Sequence, residues 1–285
     1  MIPTVAVTLT LLAPLAEAVP SAPARHVRAS LVAEADAIVP GRPVLAGVRL
    51  QMDPGWHTYW RNPGDSGLPT RIRWQLPAGF AAGEIRWPYP ERFSSGPVGS
   101  YGYAEEVLLP VEIAVPASAA GRVRLAARVD WLECREACLP GKAEVELVLP
   151  VRASGAPSAA APLFADTARR LPVRASAWSV RARMEPGALA LRLRPPTGTT
   201  LRGAYFYAVT PRVLDYSGPQ ALAGSGPALR LVLPRDPNGV ASPERLVGVL
   251  VAETAGGTIA LEVNVPVASG AASSASSPSE QEKKR

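Results

Sequence analysis

Residues 122–131 alternate in polarity. Val123, Leu125, Ala127, Val129 and Trp131 fall on one side, and Arg122, Arg124, Arg128 and Asp130 on the other. A period of two is the pattern of a strand with one buried face; a helix would need apolar residues three and four apart. The same pattern recurs at 107–115 (Val107, Leu109, Val111, Ile113, Val115) and at 143–151 (Val145, Leu147, Leu149, Val151 against Glu144 and Glu146). Shorter stretches at 26–33, 43–52, 70–75 and 83–88 bring the first half to seven candidate strands. The chain also carries 31 Pro and 24 Gly in 285 residues, which break helices and supply turns. Short, one-sided strands at this spacing predict an all-β chain that begins with an immunoglobulin-like β-sandwich.

Composition then divides the chain. Residues 153–162 are rich in Ala, Ser, Pro and Gly and read as a linker, and 162–171 as a short helix with Pro172 just past its end. Six more candidate strands follow at 177–184, 188–194, 204–209, 228–233, 246–252 and 258–266, enough for a second, smaller β-domain. At the N-terminus, residues 2–15 are uncharged and mostly apolar, and Ala16-Glu17-Ala18 supplies small residues at the −3 and −1 positions of a signal-peptidase site. The expected organisation is a signal peptide at 1–18, a first domain at 19–152, a linker with a short helix at 153–173, a second β-domain at 174–267 and a disordered tail at 268–285. The expected location is an oxidising, exported compartment, the periplasm.

Charge and cysteine count exclude several functions. The net charge of +6 comes from 27 Arg and 3 Lys against 24 acidic residues. Residues 19–150 are balanced, with 14 basic and 14 acidic residues, while 151–267 hold 13 basic and 7 acidic. The arginines of the second half (Arg181, Arg183, Arg192, Arg194) alternate with apolar residues rather than interleaving with aromatics. They therefore read as a solvated strand face, and no nucleic acid is expected as a partner. Two cysteines exclude a disulfide scaffold, and with two histidines they form no paired zinc-ligand spacing. Five of the six tryptophans (Trp56, Trp60, Trp74, Trp87, Trp131), both cysteines and His57 lie in the first half, so any chemistry is placed there.

The cysteines occupy WLECREACLPG at 131–141, between two candidate strands. Closing a loop of five residues stabilises a fold by only about 2 kcal/mol, against about 4.7 for a loop of 100. A sandwich with a full core gains little from so small a clip, and a tight loop favours an easily reduced bond. Arg135 favours a thiolate, while Glu133 and Glu136 oppose it. Three readings stay open from the residues alone: a redox pair, a structural staple, and a thiolate pair for Cu(I) with His57 as a possible third ligand. The Cys-x-x-x-Cys with Pro140 after it is similar to copper-delivery proteins, although in those the motif leads into a helix and here Pro140-Gly141 leads into a strand.

Four blocks appear in order: GWHTYWRNPGDSGLPT at 55–70, WPYPERF at 87–93, YGYAEEVLLPV at 101–111, and the cysteine segment. Together they resemble the N-terminal periplasmic domain of the disulfide-interchange protein DsbD, and more closely its ScsB-like relatives, which are linked to copper and oxidative-stress tolerance. The resemblance covers most of 25–267. It implies an immunoglobulin-like thiol–disulfide oxidoreductase component with no cofactor beyond its own Cys134–Cys138 disulfide. Electrons would come from a membrane electron-transfer protein of DsbD or CcdA type and pass to thioredoxin-like periplasmic proteins. It also implies that Cys138 is the nucleophile and Cys134 the resolving residue, that Phe93 is a cap over the pair, and that Tyr59 and His57 are its neighbours. DsbD has five residues between its cysteines where this chain has three, and the membrane and thioredoxin-like domains of DsbD have no counterpart here. Either the partners in electron transfer are separate proteins or the gene model is truncated.

Overall fold

A computed structural model of the protein describes residues 26–269 apart from 175, 225–228 and 240–242. The signal peptide and almost all of the tail expected from the sequence lie outside the described residues. The first domain runs through β1 (Val27–Ala33), β2 (Val44–Met52), β3 (His57–Gly64), β4 (Arg71–Gln75), β5 (Ala81–Ile85), β6 (Glu91–Ser95), β7 (Val98–Ala104), β8 (Glu106–Ala114), β9 (Arg122–Cys134) and β10 (Cys138–Pro150). Helix α1 (Ala161–Arg170) follows. The second domain comprises β11 (Val173–Arg174), β12 (Ser179–Glu185), β13 (Ala188–Arg194), β14 (Leu201–Ala208), β15 (Ala221–Ala223), β16 (Leu229–Pro234), β17 (Arg245–Thr254) and β18 (Gly257–Ala268). No helix among the described residues is long and apolar enough to cross a membrane.

The first domain is an immunoglobulin-like sandwich. One sheet has the order β1-β2-β8-β5; the other is β10-β9-β3-β7-β6, with β4 also paired to β9. Alternation explains the packing: Val123, Leu125, Ala127, Val129 and Trp131 of β9 meet Val48, Leu50, Leu109 and Val111 in one core. The tryptophans are mainly packing residues, with Trp60 and Trp131 buried and Trp56, Trp74 and Trp87 lying partly buried against the core. The β9–β10 ladder continues past the alternating stretch, from Arg122↔Pro150 to Cys134↔Cys138. Pro140 sits inside β10, where a missing N–H is tolerated because β10 is the edge of its sheet.

Three strands that the alternation did not reveal, β3, β6 and β7, surround the cysteine hairpin. β6 is a short edge strand with Glu91, Arg92 and Ser94 exposed, whereas the side chains of β3 and β7 are buried on both faces: Thr58, Tyr59 and Trp60 are consecutive buried residues, as are 99–103. One face points into the sandwich, and the other is covered in part by the second domain. There is no polar face left for a period of two to display.

In the second domain the strand order is β14-β17-β18-β12-β13-β16-β15, with β11 beside β18. β18 pairs with β17 along most of its length and with β12 at Val267 and Ala268, so it links two halves. Leu189, Leu191 and Leu231 of one half and Phe206, Leu250 and Leu261 of the other share a core. The connecting segment is fastened to the first domain, with Asp36 N–H donating to the Ala156 carbonyl and Tyr89 N–H to that of Arg170.

The two domains also share a core. Tyr207, Tyr216, Val249 and Ala260 belong to the hydrophobic cluster of the first domain. The Tyr101 ring meets Tyr207 at 5.0 Å and Tyr216 at 5.2 Å, both in edge-on geometries. Gly99 makes the approach possible, since a Cβ there would lie 2.2 Å from the Tyr216 carbonyl carbon. Buried Asn62 donates from Nδ2 to the Ala208 carbonyl at 2.7 Å and to the Tyr216 hydroxyl at 3.1 Å. Asn62→Ala would strand that carbonyl at a cost of about 1–3 kcal/mol, and the expected fall in Tm is roughly 3–10 °C. A thermal melt with an unchanged midpoint would show that Asn62 does not hold the domains together.

Candidate functional site

The site begins as an accident of register. In β9 the inward set ends with Trp131 and Glu133, so Cys134 turns to the outer face. Its cross-strand partner is Cys138, with Cα atoms 4.2 Å apart, the close spacing of a directly opposed antiparallel pair. Residues 135–137 close the hairpin, and the two sulfurs are bonded. The two halves of the bond differ in access: Cys134 is 3% exposed, whereas Cys138 is an exposed residue. Glu133, one residue from the buried cysteine, is itself buried on the inner side and accepts a hydrogen bond from Trp131 Nε1 at 2.9 Å. Glu136 is exposed at the turn.

β3 brings up the next two residues. His57 is in register with Cys134, and Tyr59, two residues on, shares its face. The Tyr59 hydroxyl lies 3.4 Å from Cys138 Sγ. A disulfide sulfur carries no hydrogen, so the hydroxyl is the donor. Burial raises the Tyr59 pKa, against a hydrogen bond from Ser66 that pulls the other way, and the phenol keeps its proton. Ser66 Oγ is in turn 3.3 Å from Ser100 Oγ, so a line of hydroxyls leads from β7 to the sulfur. Gly67 lies flat against the Tyr59 ring: its φ is +107°, and a Cβ there would sit 2.3 Å from Cε1. The turn at 64–67 is therefore a wall of the site.

The β6–β7 hairpin brings up Phe93. Phe93 stacks on His57 with ring centroids 4.5 Å apart and planes 13° from parallel. His57 in turn meets Tyr59 edge-on at 5.2 Å. Burial lowers the His57 pKa, so the imidazole is neutral at pH 7. Arg92, next to Phe93, reaches the second domain, donating from Nε to the Tyr216 carbonyl at 3.1 Å and from its terminal nitrogen to the Ser217 carbonyl. The stacked Phe93 is thus tied through its neighbour to the second domain.

The five candidate residues, Cys134, Cys138, His57, Tyr59 and Phe93, all line one cleft of about 510 Å³. Ser66, Ser100 and Arg92 also line it and were not singled out from the sequence. Ser66 stood in a motif that reads as a turn, and Arg92 beside the expected cap. In the reduced state the cysteines would offer two thiolates, ligands suited to soft Cu(I). Among the described residues, no three His, Cys, Asp or Glu side chains converge as a metal-holding group.

The family described as "Thiol:disulfide interchange protein DsbD, N-terminal" matches residues 28–150, which span both sheets and the cysteine hairpin. Among solved structures, the N-terminal periplasmic domain of ScsB from Proteus mirabilis superposes with a TM-score of 0.63 at 20% identity. That match covers 86% of this chain and 96% of that chain, so the two-domain fold is common to both. A protein of unknown function from Porphyromonas gingivalis W83 aligns over 85% of this chain and 100% of that one at 10% identity, with a TM-score of only 0.27. No curated protein matches the chain significantly by sequence. The sandwich with its hairpin-tip disulfide, residues 28–150, is therefore the part of the chain that matches the family of DsbD N-terminal domains.

Proposed function

We propose that the first domain is an exported thiol–disulfide exchange module that relays reducing equivalents through Cys134 and Cys138. The observation that carries this reading is the asymmetry of the bond: Cys138 is exposed and Cys134 is covered. The donor would be a membrane electron-transfer protein acting directly or through a thioredoxin-like domain. The acceptors would be thioredoxin-like proteins of the periplasm.

A donor thiolate attacks Cys138 Sγ, the S–S bond breaks, and Cys134 leaves as a thiolate that takes up a proton. The donor's second thiolate then attacks the mixed disulfide and departs as a disulfide, leaving Cys138 reduced. Two electrons have passed to the pair. In the forward half-cycle the Cys138 thiolate attacks an acceptor disulfide. Cys134, deprotonated, then attacks Cys138 Sγ and releases the acceptor as a dithiol. Tyr59 supports both halves, because its hydroxyl donates toward Cys138 Sγ and stabilises negative charge there. The stacked His57 and Phe93 shield the other side of the pair from small oxidants.

Cys134→Ser should leave Cys138 able to capture a thioredoxin-like partner as a mixed disulfide, seen on a non-reducing gel, while Cys138→Ser captures little. If neither variant traps any partner, the assignment of roles is wrong. Tyr59→Phe removes one hydrogen bond to a charged sulfur. Alkylation of reduced Cys138 near pH 7 should slow by roughly tenfold, while the fold keeps its Tm within a few degrees. An unchanged rate would remove Tyr59 from the mechanism. His57 has a pKa lowered by folding, so the unfolded chain binds the extra proton. The stability it supplies is complete above the unfolded value of about 6.5 and is lost as pH falls below it. The drop in Tm between about pH 7 and pH 5 should be smaller in His57→Phe than in the parent protein; equal drops would contradict a buried neutral imidazole.

A further inference from the structure

One face of the second domain bears charge that neither its core nor the redox site uses. In the antiparallel register, Arg181 of β12 opposes Arg192 of β13, and Arg192 opposes Arg230 of β16. Three arginines therefore stand in one row across three adjacent strands, about 4.8 Å per step. The period of two adds Arg183 and Arg194 to the same face, with Ser179 opposite Arg194. Against these five arginines the described part of the face has one carboxylate, Glu185, which is paired with Arg230 through Nε at 3.2 Å. Among the described residues no salt bridge involves Arg181, Arg192 or Arg194, and these three are exposed. With Arg230 they line a depression of about 510 Å³. The alternate residues of the same strands, Ala182, Leu191, Leu193 and Leu231, point into the core.

Like charges placed directly opposite one another destabilise a sheet, so this row weakens the isolated fold. A surface of the opposite sign would relieve that repulsion. The other half of the domain, through Tyr207, Val249 and Ala260, is packed on the redox domain, which leaves the arginine face turned outward. A protein partner would be expected to seat apolar or aromatic anchors. The large exposed apolar residues among the described ones are Leu68, Val98, Leu139, Val148 and Val173, and none lies on β12, β13 or β16. A face with guanidinium groups and no apolar anchor suits a layer of phosphate headgroups, where each basic residue adds attraction without any need for complementary shape.

We propose that the Arg181–Arg192–Arg230 face docks the protein on an anionic phospholipid bilayer. The proposal is independent of the thiol chemistry, because it rests on the second domain alone. The test is co-sedimentation of the full chain with vesicles of phosphatidylglycerol and phosphatidylcholine, and with vesicles of phosphatidylcholine alone. Binding is expected to the anionic vesicles only, at about 50 mM salt, and to be released at about 500 mM. Arg181→Gln/Arg192→Gln/Arg194→Gln should weaken it about a hundredfold, at about fivefold per charge, with Tm unchanged or raised as the repulsion is relieved. Glu185→Gln, which removes the carboxylate from this face, should strengthen binding about fivefold. Failure to bind anionic vesicles at low salt, equal binding to neutral ones, or full binding by the triple variant would each overturn the proposal. The last outcome would assign the binding to another segment of the chain.

Discussion

The antiparallel register of β9 links the core of the first domain to its chemistry. The same strand that seats Val129 and Trp131 in the sandwich presents Cys134 on the opposite face three residues later. A slip of one residue would expose Trp131 and turn Cys134 toward the core, so the hydrophobic pattern that selects the fold also aims the sulfur. On one side the ladder with β10 sets Cys138 opposite Cys134, and on the other the pairing with β3 sets His57 there. Three chain segments far apart in sequence thus meet at one hairpin tip without a dedicated loop to hold them.

Around the tip, access is asymmetric. Cys134 is buried and in register with His57, on which Phe93 stacks, and Cys138 is exposed with one phenol hydroxyl aimed at it. The β6–β7 hairpin is not free-standing. Arg92 anchors its strand to the carbonyls of Tyr216 and Ser217, and Gly99 lets the same hairpin touch the second domain backbone to backbone. The second domain therefore does more than extend the chain: it packs a face of β7 and holds Arg92, the neighbour of Phe93, in place.

The sequence showed this unevenly, for physical reasons. β9, β10 and β2 have one buried and one solvated or lightly covered face, and their period of two is legible; β8 is covered on both faces over 107–111, but Glu112 and Ala114 at its exposed end break the apolar run. β3 and β7 are covered on both sides, so Tyr59 and Trp60, or Tyr101 and Tyr103 with the small residues between them, read as aromatic runs without a period. The β9–β10 ladder reaches further toward the tip than its alternation does, because Glu133 is a buried carboxylate on the core side and Pro140 lies within an edge strand. The cleft residues His57, Tyr59 and Phe93 were legible only through the ordered motifs they belong to. Ser66 and Arg92 were hidden, since a serine in a turn and an exposed arginine carry no signal of what they touch. The solvated arginine face was legible as a face, but the row across three strands needed the register.

The central claim is that the exposed sulfur of the bond is the one that exchanges. It is tested most directly by treating the oxidised protein briefly with excess glutathione, alkylating every free thiol and locating the glutathione by peptide mass spectrometry. The account predicts glutathione on Cys138 and the alkyl group on Cys134. Glutathione predominantly on Cys134, or a bond that yields no adduct in the folded protein, would contradict it.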